Sequence, residues 1–129
     1  MPDLPRGDRP LSPFMIGPYY RPQWTSMTSI ANRAAAVALT LAAFLCVWWF
    51  AALARGEGAY NVANGIITSF IGDLVMFFSM AALWYHLLAG IRHLIWDTGR
   101  MFEVEHAERF GQMMVIVTVL LAIFTVVVV

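Results

Sequence analysis

The chain has 129 residues, 60% hydrophobic and only 12% charged, with a mean hydropathy of +0.70. Soluble domains carry charge on roughly a quarter of their residues, so a water-soluble globular domain is excluded. The formal net charge is zero; a lipid bilayer is the expected surrounding, and no nucleic-acid partner is expected.

Three runs lack formal charge, 34–54, 74–91 and 110–129. Each is about 18 to 21 residues long, and about 20 helical residues cross the ~30 Å hydrocarbon core of a bilayer. The expected fold is all-α, a three-span membrane anchor. Residues 1–25 form a Pro-rich N-terminal segment, and residues 26–129 form the anchor domain, with spans at about 29–54, 66–96 and 109–129.

All six prolines fall within the first 22 residues. Proline fixes φ and removes a donor, so this segment is expected to run extended and kinked along the cytoplasmic face. Tyr19, Tyr20 and Trp24 suit the membrane interface. Asp3 and Asp8, with no apolar core beside them, fit neither a secretory signal nor a mitochondrial transit peptide. A bacterial inner membrane is the expected location. All eight basic residues are arginine. Arg6, Arg9, Arg21 and Arg33 precede the first span, Arg92, Arg100 and Arg109 flank the second loop, and only Arg55 lies in the first loop. The positive-inside rule then puts the N-terminus and second loop in the cytoplasm and the C-terminus in the periplasm.

Helix one is expected to begin near Thr25 to Ser29 and run to about Ala54. At its entrance Ser29 and Arg33 stand at i and i+4, a hydroxyl and a cationic fork beside the lipid. They suit a quinone carbonyl or a haem propionate, although a lone arginine there also serves as a headgroup anchor. Cys46, the only cysteine, lies mid-span and reads as a small apolar side chain. Arg55 to Gly58 are expected to form a short outer turn.

Helix two is expected from near Asn64 to Asp97, with Asp73 near the outer interface. Its inner half reads WYHLLAGIRHLIWDTG. His86, Gly90 and His93 fall on one helical stripe, extended by Ala82, Ala89 and Asp97, and the small residues leave room for a flat macrocycle. Either His86 is a haem ligand or it makes a polar contact with a neighbouring helix. His86 and His93 lie about 10.5 Å apart along one helix, so they cannot ligate one iron from opposite sides. No other span contains histidine, and His106 is in the second loop, so a second protein ligand must come from another chain. Without C-x-x-C-H the haem would be non-covalent, b-type. His93 is a candidate partner for a haem propionate, with Asp97 at i+4 orienting its ring; the alternative is an interfacial histidine paired only with Asp97. The loop MFEVEHAERF, carrying Glu103, Glu105 and Glu108, is expected to be solvated before the third span begins.

Taken together, RPLSP, the SI-x-x-R of Ser29 to Arg33, and YHLLAGIRHLIWDTG resemble the cytochrome b membrane-anchor subunit of succinate dehydrogenase, respiratory complex II. The resemblance covers roughly residues 9–111. It implies part of a heteromeric haem-binding helical bundle, with His86 as the axial ligand to haem b iron and the other ligand supplied by the second, small anchor subunit. It implies His93 near the haem propionates, Ser29 and Arg33 lining the ubiquinone headgroup site at the contact with the iron–sulfur subunit, and Ile30 as an apolar neighbour of that headgroup. Arg33 is also a candidate for the haem edge. FAD and iron–sulfur clusters would reside only in the flavoprotein and iron–sulfur subunits. This chain has neither the cysteines for clusters nor a dinucleotide fingerprint. It departs from the family pattern at Asn32, where histidine is usual, and at Ala89, where asparagine is common. The expected activity is ubiquinone reduction as a subunit of succinate dehydrogenase. The rivals are a quinol:fumarate reductase anchor and a non-enzymatic homodimeric haem scaffold.

Overall fold

A computed structural model describes residues 21–129 as four helices, α1 (Trp24–Arg55), α2 (Glu57–Ile67), α3 (Phe70–Asp97) and α4 (Val104–Val128). Residues 1–20, including Tyr19, Tyr20 and the RPLSP match, lie outside the described residues. Of the four helices, α1, α3 and α4 are long and apolar enough to cross a membrane. At 1.5 Å per residue α1 is roughly 48 Å long, so its ends extend past the hydrocarbon core.

α1 starts two residues after Pro22 with Gln23 as its N-cap, and the Gln23 N–H donates to Ser26 Oγ at 3.2 Å, closing one of the four orphan donors of the first turn. It stops at Gly56, whose φ of +114° is closed to most L side chains.

The expected outer turn is instead the helix α2, and the second span begins at Phe70 rather than near Asn64. Two features separate α2 from α3. Ser69 caps α3, its Oγ accepting from the Gly72 N–H at 3.1 Å and donating to Ile66 O at 2.7 Å. Gly72 then packs so closely on the end of α2 that a Cβ would overlap the carbonyl oxygens of Ile66 and Ile67. The apolar character continues through this corner, so hydropathy alone does not show the break. α2 is tied back to α1, with Trp49 Nε1 donating to Asn64 Oδ1 at 3.4 Å and the Trp49 and Tyr60 rings edge to face at 5.6 Å.

The helices meet through small side chains. The buried residues include Ala35 and Ala52 on α1, Ala63 on α2, Ala89 on α3, and Ala107, Gly111 and Ala122 on α4. Phe44, Phe78, Leu94 and Phe124 point outward. Hydrocarbon solvates leucine as well as another leucine would, so close backbone approach, rather than apolar burial, is what favours helix contact in lipid. The start of α1, the end of α3 and the start of α4 converge where Thr28, Arg92 and Gly111 touch.

Gly72→Ala is expected to lower the thermal stability of the purified protein in detergent by opening the α2–α3 corner. Gly65→Ala, at an α2 position with open space around it, is expected to hold or raise stability by up to ~1 kcal/mol through helix propensity. Parallel melting curves of the two variants check this contrast.

Candidate functional site

The Thr28–Asn32–Ala35 stripe of α1 faces α3, because residues three and four apart share a helix face. Asn32 Oδ1 lies 2.9 Å from His86 Nδ1. One turn toward the start of α1, Tyr85 Oη donates to the Thr28 carbonyl at 2.9 Å, and Arg92 Nη1 donates to Thr28 Oγ1 at 2.9 Å. Thr28 Oγ1 in turn donates to Trp24 O at 2.9 Å. The order of these contacts makes α1 and α3 antiparallel.

His86 is half-buried, and its Nδ1 contact is the one hydrogen bond it makes among the described residues. A neutral imidazole whose Nδ1–H is donated to an amide oxygen keeps its lone pair on Nε2, which is the donor an iron needs. Gly90, one turn further on, has open space where a Cβ would stand. The donor chemistry and the clearance therefore fit a haem approaching α3 on this side. A bare-metal centre has no such support, since no group of three His, Cys, Asp or Glu gathers among the described residues.

The stripe drawn from the sequence divides in the structure. Ala89 is fully buried in the helix contact, while Gly90, His93 and Asp97 are exposed on an outer face. His93 does not pair with Asp97. Its ring meets Trp96 edge-on at 5.3 Å instead, because Trp96 at i+3 offers a broad ring that is itself held by its Nε1 donating to Met101 O at 3.2 Å. Ser29 is half-buried, and Ile30 and Arg33 are exposed. Being one residue on from Thr28 and Asn32, Ser29 and Arg33 lie about 100° around α1 from the α3 contact. No hydrogen bond joins them among the described residues, so both groups remain open to a ligand or partner from outside the chain.

Arg92 has a place in the structure that its position in the sequence does not show. It counts there as a charge flanking the second loop, yet it is only 2% exposed. Its guanidinium lies 4.7 Å from the Trp96 ring centre, a cation–π distance. Its Nε is buried with no partner among the described residues. Gly111 of α4 makes the space: a Cβ there would come 3.3 Å from Thr28 Cγ2 and 3.8 Å from Arg92 Nη1. Nor does the sequence reading single out Thr28, Asn32, Tyr85 and Gly111 as a network. The helical spacing of Thr28, Asn32 and Ala35 is the available signal.

The acidic run starts α4 rather than a loop. Glu105 pairs with Arg109 at 2.6 Å and Glu103 with His106 at 3.3 Å, all well exposed. The apolar cleft between α1 and α3, lined by Leu45, Cys46, Trp49 and Met76, lies toward the α2 end, away from His86.

A model of the family described as succinate dehydrogenase/fumarate reductase transmembrane subunit matches residues 5–125. The chain is 40% identical over 128 residues to the succinate dehydrogenase cytochrome b556 subunit of Paracoccus denitrificans, covering 99% of this chain and 97% of that one. It is 35% identical over 115 residues to the cytochrome b556 subunit of Rickettsia bellii, covering 89% and 88% of the two chains. With the cytochrome b560 subunit of Reclinomonas americana it shares 32% identity over 112 residues, covering 83% and 76%.

Thr28→Val keeps the shape of the three-helix contact but strands the Arg92 guanidinium. Hydrogen bonds to charged groups contribute about 1.5–3 kcal/mol. The variant is therefore expected to lose about that much stability in a denaturation series, whereas Thr40→Val, at an exposed α1 position, should stay near the parent.

Proposed function

The chain belongs to the succinate dehydrogenase/fumarate reductase transmembrane subunit family, and from that membership we propose that it is the cytochrome b anchor of a succinate:ubiquinone oxidoreductase. In this reading it holds haem b jointly with a second anchor chain and forms one wall of the ubiquinone-reduction site. The observation that carries the haem part is the state of His86, half-buried, engaged through Nδ1 by Asn32 and one helical turn from the open space at Gly90. His86 would be the axial ligand and His93, exposed on the same side, would meet a propionate. When bound, haem b supplies a one-electron centre beside the quinone path.

The quinone chemistry falls to the α1 entrance. The Ser29 hydroxyl would donate a hydrogen bond to one ubiquinone oxygen, and the Arg33 guanidinium would hold the negative charge that develops there as electrons arrive. Ile30 would pack on the headgroup. Protons would enter from the cytoplasmic side, in an inner membrane with the N-terminus and second loop cytoplasmic and the C-terminus periplasmic. Succinate oxidation, with its FAD and iron–sulfur clusters, would belong to the flavoprotein and iron–sulfur partners, and this chain alone would hold no complete active site. A fumarate-reducing complex would use the same parts in reverse. The relatives' names favour the succinate-oxidising direction.

Purification in mild detergent should bring down a flavin- and cluster-containing soluble pair and a second small membrane chain; a lone homodimer would reject the anchor role. His86→Ala should remove or alter the b-type absorption spectrum of that complex, and an unchanged spectrum would sink the ligand assignment. Arg33→Ala should cut ubiquinone reduction by ~100-fold, the scale of losing one oxyanion donor, with succinate oxidation by an artificial acceptor preserved. Equal survival of both activities would remove Arg33 from the quinone site.

A further inference from the structure

The Asn32 side chain makes one hydrogen bond among the described residues, to His86 Nδ1 at 2.9 Å. An amide oxygen only accepts, and a neutral imidazole carries a single N–H. That contact therefore requires the proton on Nδ1. It also orients the ring, since Nδ1 and Nε2 lie on opposite flanks of the imidazole: with Nδ1 turned to α1, Nε2 is turned away from it. The acceptor is itself well fixed, because Thr28 and Ala35 on either side of Asn32 are buried, and Thr28 is held to α3 through both Tyr85 and Arg92.

We infer that Asn32 is a positioning residue for the haem ligand, selecting the Nδ1–H tautomer of His86, aiming Nε2 out of the α1–α3 contact, and setting the ligand's donor strength. This inference rests on the reading of His86 as an axial ligand and says what in this chain prepares it. An acceptor on the far nitrogen makes imidazole a stronger donor, which stabilises the oxidised iron and lowers its potential. A plain helix–helix contact would hold the ring without any such directional effect.

The test is a pair of similar-sized variants in the complete complex, Asn32→Asp and Asn32→Leu, read by redox titration of the b-type band and by haem retained per complex. Asp, a stronger acceptor, is expected to lower the midpoint potential. Leu, which cannot accept, is expected to raise it and to weaken haem retention by about 10–100-fold. Potentials that stay at the parent value, or that move the same way in both variants, overturn the inference. If either variant fails to assemble, nitrogen NMR of the parent complex with ¹⁵N-labelled histidine, in the reduced diamagnetic state, decides the same point. An Nδ1–H of His86 carrying the downfield proton shift of a hydrogen-bonded N–H supports the inference, and an Nδ1–H with no hydrogen-bond shift, or iron bound through Nδ1, overturns it. His86→Ala keeps the two readings apart. Loss of the haem band there, with unmoved potentials in the Asn32 variants, rejects the role of Asn32 alone, whereas a retained band rejects the ligand assignment itself.

Discussion

The end of this bundle where α1 and α4 begin and α3 finishes is organised around one buried cation. Removing a guanidinium from water is costly unless its charge and its donors are met. Arg92 is met on two sides, by the hydroxyl of Thr28 on α1 and by the ring face of Trp96 one turn along its own helix. The third side is α4, which approaches closely enough to bury the group because residue 111 is glycine. Three helices therefore share a single fixed point, and each supplies a chemically different part of it.

That fixed point sets the register from which the candidate haem position follows. With Thr28 pinned to both Tyr85 and Arg92, the next turn of α1 brings Asn32 opposite the next available donor on α3, which is His86. A slide of one turn between α1 and α3 would break all three contacts together. The same rotation places Ser29 and Arg33 away from α3 and open to a partner. The Asn32–His86 side proposed for haem and the Ser29–Arg33 side proposed for quinone are thus separate faces of one helix entrance, held in constant relation by the contact at Thr28.

Elsewhere the bundle is held by economy of volume. Alanine and glycine occupy the closest contacts, and large side chains face outward. Polar ties are few and widely spaced: Trp84 Nε1 to Thr125 Oγ1 at 3.1 Å links α3 with α4, and Trp49 with Asn64 links α1 with α2. In lipid each such bond competes with no water, so a small number suffices to choose which faces meet. The outer face of α3 carrying Gly90, His93 and Asp97 has no intrachain cover among the described residues.

The sequence by itself determined the all-helical membrane class, the existence of three spans, the family, and the candidacy of His86, because hydropathy over about 20 residues and a short motif are local properties. It did not disclose α2, since an apolar run passes unbroken through a corner that depends on a missing Cβ at Gly72 and a serine cap at Ser69. It did not show that Arg92 is buried, since charge in a sequence marks a boundary by default and only contact with Thr28, Trp96 and Gly111 makes burial tolerable. It counted Asn32 as a departure from a pattern. Only the packing of α1 against α3 decided that this amide faces the histidine ring, because hydrogen-bond partners 54 residues apart are chosen by helix register and rotation, which no spacing along one helix encodes.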